Sequence, residues 1–163
     1  MWGDPVLRTT TRPVADFGAE LAAELRAMGE AMDRAAGAGL AAPQVGSARR
    51  LFVCRFGDDG PLRAFVNPRL TWASEERAPG LEGCLSIPGV AIEVERAVAV
   101  TVVAQDGAGE ERTVHAEGPD AVVLQHELDH LDGVLMLDRA APAERRRALR
   151  ELAAAQRPPR LNI

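Results

Sequence analysis

The sequence lacks lysine and tyrosine altogether, so all 19 of its basic residues are arginines. Its two cysteines, Cys54 and Cys84, are too few for the disulfide framework of a small secreted protein. No stretch of about 18 consecutive apolar residues exists, and we therefore expect no membrane-spanning helix. The first residues contain no apolar segment of the kind found in secretory signals. These absences favour the reducing cytoplasm as the location of the protein.

The remaining composition is ordinary for a globular chain of 163 residues, of which 47% are hydrophobic and 26% are charged. This length predicts a single domain over residues 1–163 that is large enough to bury a core. The net charge is −5, but residues 139–163 carry seven arginines against two acidic residues. An acidic body with a basic end is not typical of a nucleic-acid binder. We interpret the basic end as a solvated helix face, with contact to an anionic partner as the alternative.

The motif QHELDHLDG at residues 125–133 contains two of the three histidines in the chain. On a helix, His126 and His130 are four residues apart and project from one face, where both imidazoles can bind one metal ion. Glu127 is carried beside them and is placed to act as a general base on water. This pattern also occurs by chance, so the competing interpretation is a surface helix with two solvated histidines and an ion-paired glutamate.

The residues around this motif predict a buried helix. Residues 118–120 supply a break, a helix-starting proline and an early acidic residue. Residues 121–124 make the first turns apolar on nearly every side, which indicates that the helix enters the interior or a cleft. We expect Asp129 and Asp132 on its wetter side, and Gly133 at its end.

A metal bound by this motif needs a third protein ligand and an open position for water. Cys84, in a tight segment flanked by glycine and proline, can supply a thiolate. Glu151 follows the second histidine by 21 residues and is the alternative, as the third ligand of a zinc endopeptidase. Its arginine-rich surroundings favour ion pairing, so residue chemistry favours Cys84. Gln44, an amide surrounded by small residues, is a candidate hydrogen-bond donor.

Helices are also predicted near both ends of the chain. An apolar stripe at helical spacing predicts a helix that is capped by Asp16 and runs to about Ala36. The stripe consists of Leu21, Leu25, Met28 and Met32. Pro142 is expected to start a last helix over about residues 143–156, which Pro158 and Pro159 end.

Alternating apolar residues predict strands through the middle of the chain. The predicted strands cover residues 51–56, 63–68, 90–95, 98–102 and 110–115, the last three as a meander. The second is expected to stop at Pro68. Residues 6–7 are expected to be extended, 37–46 irregular, 71–81 a loop or irregular strand, and 134–137 an apolar strand or buried turn. His115 is expected on the surface and Cys54 in the core as an inert thiol.

Three segments, in their order and spacing, resemble the three motifs of the peptide deformylase family. They are GAGLAAPQVG at 37–46, EGCLSIP at 82–88 and QHELDHLDG at 125–133. The similarity also includes GDPVLR at 3–8, NPRL at 67–70 and LDR at 137–139, so it covers most of the chain.

The resemblance implies that Cys84, His126 and His130 bind one divalent metal ion. Members of the family usually bind Fe(II) and accept Zn or Ni. Glu127 would act as general base and then as general acid in hydrolysis of the formyl group from N-formylmethionyl peptides, with release of formate. This activity would place the protein in the N-terminal methionine processing of newly made chains.

Five further residues receive roles from the same resemblance. Gln44 and the backbone N–H of Leu85 would stabilise the formyl oxygen as it gains negative charge. The backbone of Gly39 would hydrogen-bond the substrate in an extended conformation. Val122 and Val123 would help to line the pocket for the methionine side chain.

The resemblance further implies an α+β fold, with mixed or antiparallel β-sheets around a central metal-binding helix and a helix towards each end. We expect a monomer. The basic C-terminal helix, residues 143–157, resembles the tail that in some relatives docks on the ribosome.

One departure from the family's pattern concerns an arginine that in many members follows the cysteine motif and faces the cleft. Residues 89–93 contain no arginine, and the next one is Arg96. Contacts with the peptide backbone are therefore expected to differ. On the residues alone, two other functions stay open: a zinc endopeptidase with Glu151 as third ligand, and a metal-stabilised binding domain without activity.

Overall fold

The helix that carries both histidines of the motif lies against an antiparallel sheet. The computed structural model of the chain describes residues 1–57 and 59–155. Its strands are Gly39–Ala41 (β1), Leu51–Cys54 (β2), Arg63–Ala73 (β3), Arg77–Cys84 (β4), Ile87–Ala97 (β5), Ala99–Gln105 (β6) and Glu111–Glu117 (β7). Five strands pair in the order β1-β2-β3-β6-β7, while β4 and β5 form a separate two-stranded sheet. Every pairing between these strands is antiparallel.

Four helices complete the described part of the chain. They are Ala19–Arg34 (α1), Gly118–Leu131 (α2), Met136–Arg139 (α3) and Pro142–Ala155 (α4). Short 3₁₀ turns cover Pro5–Arg8 and Ala42–Val45. Together with the antiparallel sheets, these helices confirm the expected α+β fold. Among the described residues, no helix has the length and apolarity that crossing a bilayer requires.

Each face of the five-stranded sheet is covered by a helix, because successive strand residues point to opposite sides. On one face, Phe52 stacks on Phe65 at a centroid distance of 4.7 Å and packs with Leu124 of α2. On the other face, Leu51 packs with the apolar stripe of α1, which includes Met28. The sequence predicted this stripe. Burial of each such side chain contributes about 1.5–3 kcal/mol to folding. The site helix is therefore fixed between the sheet and the rest of the protein.

The start of α1 differs from the prediction. Gly18 stands at the N-cap, and the carboxylate of Asp16 accepts a hydrogen bond from the Gly18 N–H and not from a helical amide. The helix ends at Arg34, close to the predicted end at Ala36.

The prediction that Pro68 ends a strand was wrong, because β3 continues through it to Ala73. The pairing with β6 shifts register between Val66 and Arg69, and Asn67 has a φ of 50°. The proline therefore falls at a bulge, where its missing N–H costs no ladder hydrogen bond. Of the two predictions for residues 71–81, loop or irregular strand, the strand is confirmed for residues 71–73 of β3 and 77–81 of β4.

Two other short segments differ from their predicted conformations, and a third has one of the two conformations predicted for it. Residues 6–7 lie in a 3₁₀ turn that Asp4 caps through the Val6 N–H, and are not extended. Residues 37–46 contain β1 and a 3₁₀ turn. Residues 134–137, predicted as an apolar strand or a buried turn, form the turn, since α3 begins at Met136 and Leu135 and Leu137 are buried. The predicted meander is divided, because β5 pairs with β4 in the smaller sheet.

The last helix begins at Pro142 as predicted. Its buried residues Ala148 and Leu152 pack in the cluster that also contains Ile92 of β5. The predicted stop at Pro158 and Pro159 lies outside the described residues.

Candidate metal centre

Three side chains converge between β4 and α2. Atoms of Cys84, His126 and His130 that can bind a metal all lie within 4.8 Å of one another. The Sγ atom of Cys84 is 3.3 Å from Nε2 of His130. The two histidines are brought together by the helical repeat, whereas the cysteine arrives on the last residue of a strand. The structure thus places the three predicted ligands together.

A buried carboxylate orients the first histidine. Nδ1 of His126 lies 2.9 Å from Oε2 of Glu82, which leaves Nε2 for the site. Glu82 is 4% exposed and accepts hydrogen bonds from Arg96, with Nε at 2.7 Å and Nη2 at 3.1 Å. The ion pair between Glu82 and Arg96 therefore fixes the His126 ring through its Nδ1 atom.

The ion pair continues into the helix. Nη1 of Arg96 lies 2.6 Å from Oδ2 of Asp129, and Nη2 of Arg139 lies 2.7 Å from Oδ1 of the same carboxylate. The expectation that Asp129 marks the wetter side of α2 was wrong, because it is only 8% exposed. Asp132 is exposed as expected and pairs with Arg50 at 2.7 Å.

Arg96 does not stand in for the arginine that residues 89–93 lack. Its guanidinium is committed to two buried carboxylates, those of Glu82 and Asp129, and only 4% of the residue is exposed. Arg96 therefore holds Glu82 in place beside His126 and does not offer a free positive charge to a ligand in the cleft.

The negative groups around the site favour positive charge at its centre. Burial would raise the pKa of Glu82, but hydrogen bonds from His126 and Arg96 lower it to about 2. Burial opposes a charge on His126, yet its hydrogen bonds with Cys84 and Glu82 raise its pKa to about 10. Burial and the neighbouring His126 lower the pKa of His130 to about 3, so this imidazole keeps its lone pair at neutral pH.

Glu127 is the second buried carboxylate of the site. Burial raises its pKa to about 7, with the charge of His126 opposing the rise. Its side chain lies so close to Gly39 of β1 that a Cβ at this glycine would stand 2.4 Å from Oε1. Glycine is thus required at position 39 by the position of the carboxylate and not by a left-handed backbone.

These residues fit a divalent metal ion. A thiolate and two imidazoles are ligands for Zn²⁺ and Fe²⁺, and three protein ligands leave a position for water. Among the described residues, the buried side-chain atoms without a hydrogen-bond partner are Oε2 of Glu127 and Nδ1 of His130. An unpaired buried carboxylate oxygen is costly unless a cation, water or substrate completes its surroundings.

The side-chain amide of Gln44 also approaches Cys84. Its Oε1 accepts a hydrogen bond from the Ala41 N–H at 2.8 Å, which fixes the amide. Its Nε2 is then directed at the site, 3.7 Å from Sγ of Cys84 and 3.2 Å from Oγ of Ser86. The amide is therefore positioned as a donor beside the thiol.

A cleft of about 850 Å³ opens over these groups. Eight of the nine predicted site residues line it: Gly39, Gln44, Cys84, Leu85, Val122, Val123, His126 and Glu127. The ninth, His130, is 1% exposed and lies beneath them.

Other residues considered from the sequence lie elsewhere. Oε1 of Glu151 accepts a hydrogen bond from Arg147 at 2.8 Å on the exposed side of α4, so the structure does not favour it as a ligand. His115 is exposed beside Trp72, as expected for a surface residue. Cys54 is fully buried, and burial raises the pKa of its thiol, which agrees with an inert core cysteine.

Sequence reasoning assigned no supporting role to Glu82 or Arg96. A signal for Glu82 was present, because residues two apart in a strand share a face, and it precedes Cys84 by two. Arg96 had no such local signal, since its partners are 14 and 33 residues away along the chain.

A thiol on a strand, two imidazoles on a helix and a buried carboxylate below a cleft define a metal-dependent hydrolase. The family model described as polypeptide deformylase matches residues 1–146. The chain therefore belongs to the polypeptide deformylase family, whose members are metalloenzymes that hydrolyse the N-formyl group of nascent peptides.

Individual relatives agree with this assignment. The chain is 44% identical over 158 residues to a peptide deformylase of Acidothermus cellulolyticus, covering 96% of this chain and 85% of the relative. It is 45% identical over 152 residues to one of Treponema pallidum, covering 93% of each. The crystal structure of the peptide deformylase from Thermus thermophilus is 42% identical, with a TM-score of 0.88 over 94% of this chain and 91% of that one. The endopeptidase alternative is accordingly not favoured.

Proposed function

We propose that this chain removes the formyl group from N-formylmethionyl peptides with Cys84, His126 and His130 as metal ligands. The observation that carries the proposal is the convergence of these three donors within 4.8 Å beside the buried Glu127. The reaction breaks the bond between the formyl carbon and the methionine nitrogen. Water supplies the hydroxyl of formate and the proton of the free amine.

The metal in this proposal is one divalent ion, Fe(II) in the first place, with Zn or Ni also accepted. When bound, such an ion polarises the formyl oxygen and lowers the pKa of a coordinated water towards ~7. The thiolate of Cys84 supports Fe(II) or Zn as the occupant, because it is a soft ligand.

Glu127 moves the proton in this reaction. It accepts a proton from the attacking water and later delivers it to the leaving nitrogen. Burial raises its pKa above the ordinary value, which supports both steps, since a group that titrates near the operating pH can take and return a proton. The missing side chain at Gly39 leaves the space in which this carboxylate lies.

The remaining site residues bind the peptide and stabilise charge. Gln44, through Nε2, and the backbone N–H of Leu85 donate hydrogen bonds to the formyl oxygen as it becomes negative; losing one such donor typically costs about 10²–10³ in rate. Gly39 offers backbone groups to an extended peptide from a short strand at the cleft. Val122 and Val123, about one turn before His126, form an apolar wall for the methionine side chain.

Formate release from formyl-Met-Ala-Ser by anaerobically purified protein, with metal content measured alongside, tests this function. We expect one equivalent of metal per chain and formate release that ceases on chelation. In Cys84→Ser, both metal and formate release should be lost or greatly reduced. Full activity without a metal, or internal cleavage of the peptide by Cys84→Ser, would contradict the proposal.

We also propose that residues 1–163 form one catalytic domain, which acts as a monomer in the cytoplasm. The length of the family match, 1–146, supports a single catalytic unit. Light scattering on the purified chain tests the monomer, and a mass of twice the chain would contradict it.

The basic C-terminal segment, residues 143–157, which the structure describes as α4 up to Ala155, is proposed to contact the ribosome. Arg146 and Arg150 are exposed on α4, whereas Arg147 is engaged by Glu144 and Glu151. Deletion of the helix is a poor test, because it would expose the core around buried Leu152.

Charge reversal at the exposed arginines avoids this problem. Arg146→Glu with Arg150→Glu should reduce co-sedimentation with ribosomes while peptide deformylation continues. The same two reversals on α1, Arg26→Glu with Arg34→Glu, serve as the matched control. Equal binding by both double variants would remove the ribosome proposal.

A further inference from the structure

Gly80 of β4 lies on the inner wall of the cleft. Along this strand Gly80, Glu82 and Cys84 are shielded, while the intervening Leu81 is 76% exposed. Residues two apart in a strand share a face, so Gly80 lies on the same side as the buried Glu82. That side faces α2, because Glu82 contacts His126 there.

Neither crowding nor backbone conformation explains a glycine at this position. Among the described residues, chain neighbours aside, no atom lies within 4 Å of where a Cβ of residue 80 would stand. Its φ is not in the left-handed region, so other residues can adopt the same backbone. Gly39 is different, because Glu127 occupies its side-chain space. What Gly80 contributes is therefore open space in the cleft.

The surrounding wall is also built from small residues. Ala78 precedes Gly80 on the same side of β4, and Ala38 and Gly118 line the same cleft. The larger apolar wall on α2 includes Val122. All of these residues line one continuous cleft of about 850 Å³.

We propose that Gly80 sets the width of the side-chain pocket, so that the enzyme also deformylates peptides whose first residue is bulkier than methionine, such as phenylalanine. This inference rests on the proposed deformylase function and leaves its chemistry unchanged. A ring in this space would bury apolar surface without displacing a side chain at position 80.

The test compares kcat/KM for formyl-Met-Ala-Ser and formyl-Phe-Ala-Ser, measured as formate release by the anaerobically purified enzyme. We expect the two values to lie within about tenfold of each other, because a pocket with spare room discriminates weakly. Gly80→Val should lower the ratio of the phenylalanine to the methionine value by at least about tenfold. Gly80→Ala should shift the ratio in the same direction by less.

Ala91→Val is the matched control. Ala91 is exposed on β5 of the same hairpin and is not among the cleft residues. The Ala91→Val substitution should leave kcat/KM unchanged for both the methionine and the phenylalanine peptide. A valine at position 80 suits a strand, so thermal melting of Gly80→Val should resemble that of the control.

The outcomes separate this inference from the function on which it rests. If the methionine peptide reacts while the phenylalanine peptide is slower by more than about a hundredfold, the wide pocket is disproved and the deformylase function stands. If the Gly80 variants slow both peptides equally, Gly80 does not determine the width. If neither peptide yields formate with the natural sequence, the proposed function fails and this inference fails with it.

Discussion

Nδ1 of His126 lies 2.9 Å from Oε2 of Glu82, a carboxylate that is itself held by Arg96. A hydrogen bond from Nδ1 fixes the orientation of the ring, so that Nε2 faces the site and can bind a metal ion in place of a proton. The affinity of the site for a metal ion should therefore depend on Glu82, which is not one of the proposed ligands.

Replacing Glu82 by glutamine should weaken metal binding about 10- to 100-fold, as is usual when the partner of a ligand histidine is lost. The amide keeps the shape of the side chain but removes the charge that faces His126 and Arg96. Chelator competition, followed by metal content, measures the change. Glu95→Gln, on the exposed side of β5, is the control. Equal chelator midpoints for the two variants would show that Glu82 does not tune the site.

Glu127→Gln should keep its metal while turnover falls by about 10²–10⁴, because an amide cannot carry the proton between water and the leaving nitrogen. Formate release and metal content, measured on the same sample, check both halves of this expectation. Turnover equal to that of the natural sequence would show that Glu127 does not carry the proton in this reaction.

Gly39→Ala should slow turnover by about 10²-fold, the usual effect of displacing a reacting group by about 1 Å. The added Cβ would stand 2.4 Å from Oε1 of Glu127 and must push the carboxylate away. Single-turnover formate release measures the loss. Gly83→Ala is the matched control for stability, since its added Cβ meets no described residue within 4 Å. A fully active Gly39→Ala enzyme would show that the position of Glu127 is not critical.

Asp138 links α3 to the N-terminal segment, and its contribution should depend on pH. Burial would raise its pKa, but the hydrogen bonds from Arg8 and the Leu135 N–H hold it below its ordinary value. A lowered pKa in the folded state stabilises the fold above the unfolded value of about 3.9, and the gain is lost as pH falls through the folded value.

Asp138→Asn should therefore lower the free energy of unfolding by about 1 kcal/mol at pH 7, a modest figure because Arg8 is partly exposed to solvent. The difference from the natural sequence should shrink below about pH 4. Urea unfolding at several pH values measures both effects. Glu93→Gln, an exposed neutralisation, should change stability by less than about 0.5 kcal/mol. A difference that stays constant down to acid pH would contradict this account.

The sequence predicted the helical elements best, because their signals are local. The spacing of apolar residues in α1 and the proline at the start of α2 each need only a few neighbours along the chain. The same holds for the pairing of His126 with His130. Cys84 was predicted as the third ligand because a thiolate is a common metal ligand, and the structure places it beside the two histidines.

The errors came from interactions between distant segments. Asp129 is polar and was expected in water, but Arg96 and Arg139 arrive from other elements and allow it to be buried. Pro68 was expected to end a strand, but the side chain of Asn67 bonds both backbone groups of Val14 and supports a bulge there. Neither partner can be identified from the residues next to it in sequence.

The cleft lies between the same two elements that supply the metal donors. Cys84 belongs to β4 of the small sheet, and both histidines belong to α2, so the ion would cross-link the two walls. A motion that separated β4 from α2 at these donors would pull the sulfur from the imidazoles and release the ion. We therefore expect the two walls to keep their separation next to the metal ligands when a peptide enters the groove.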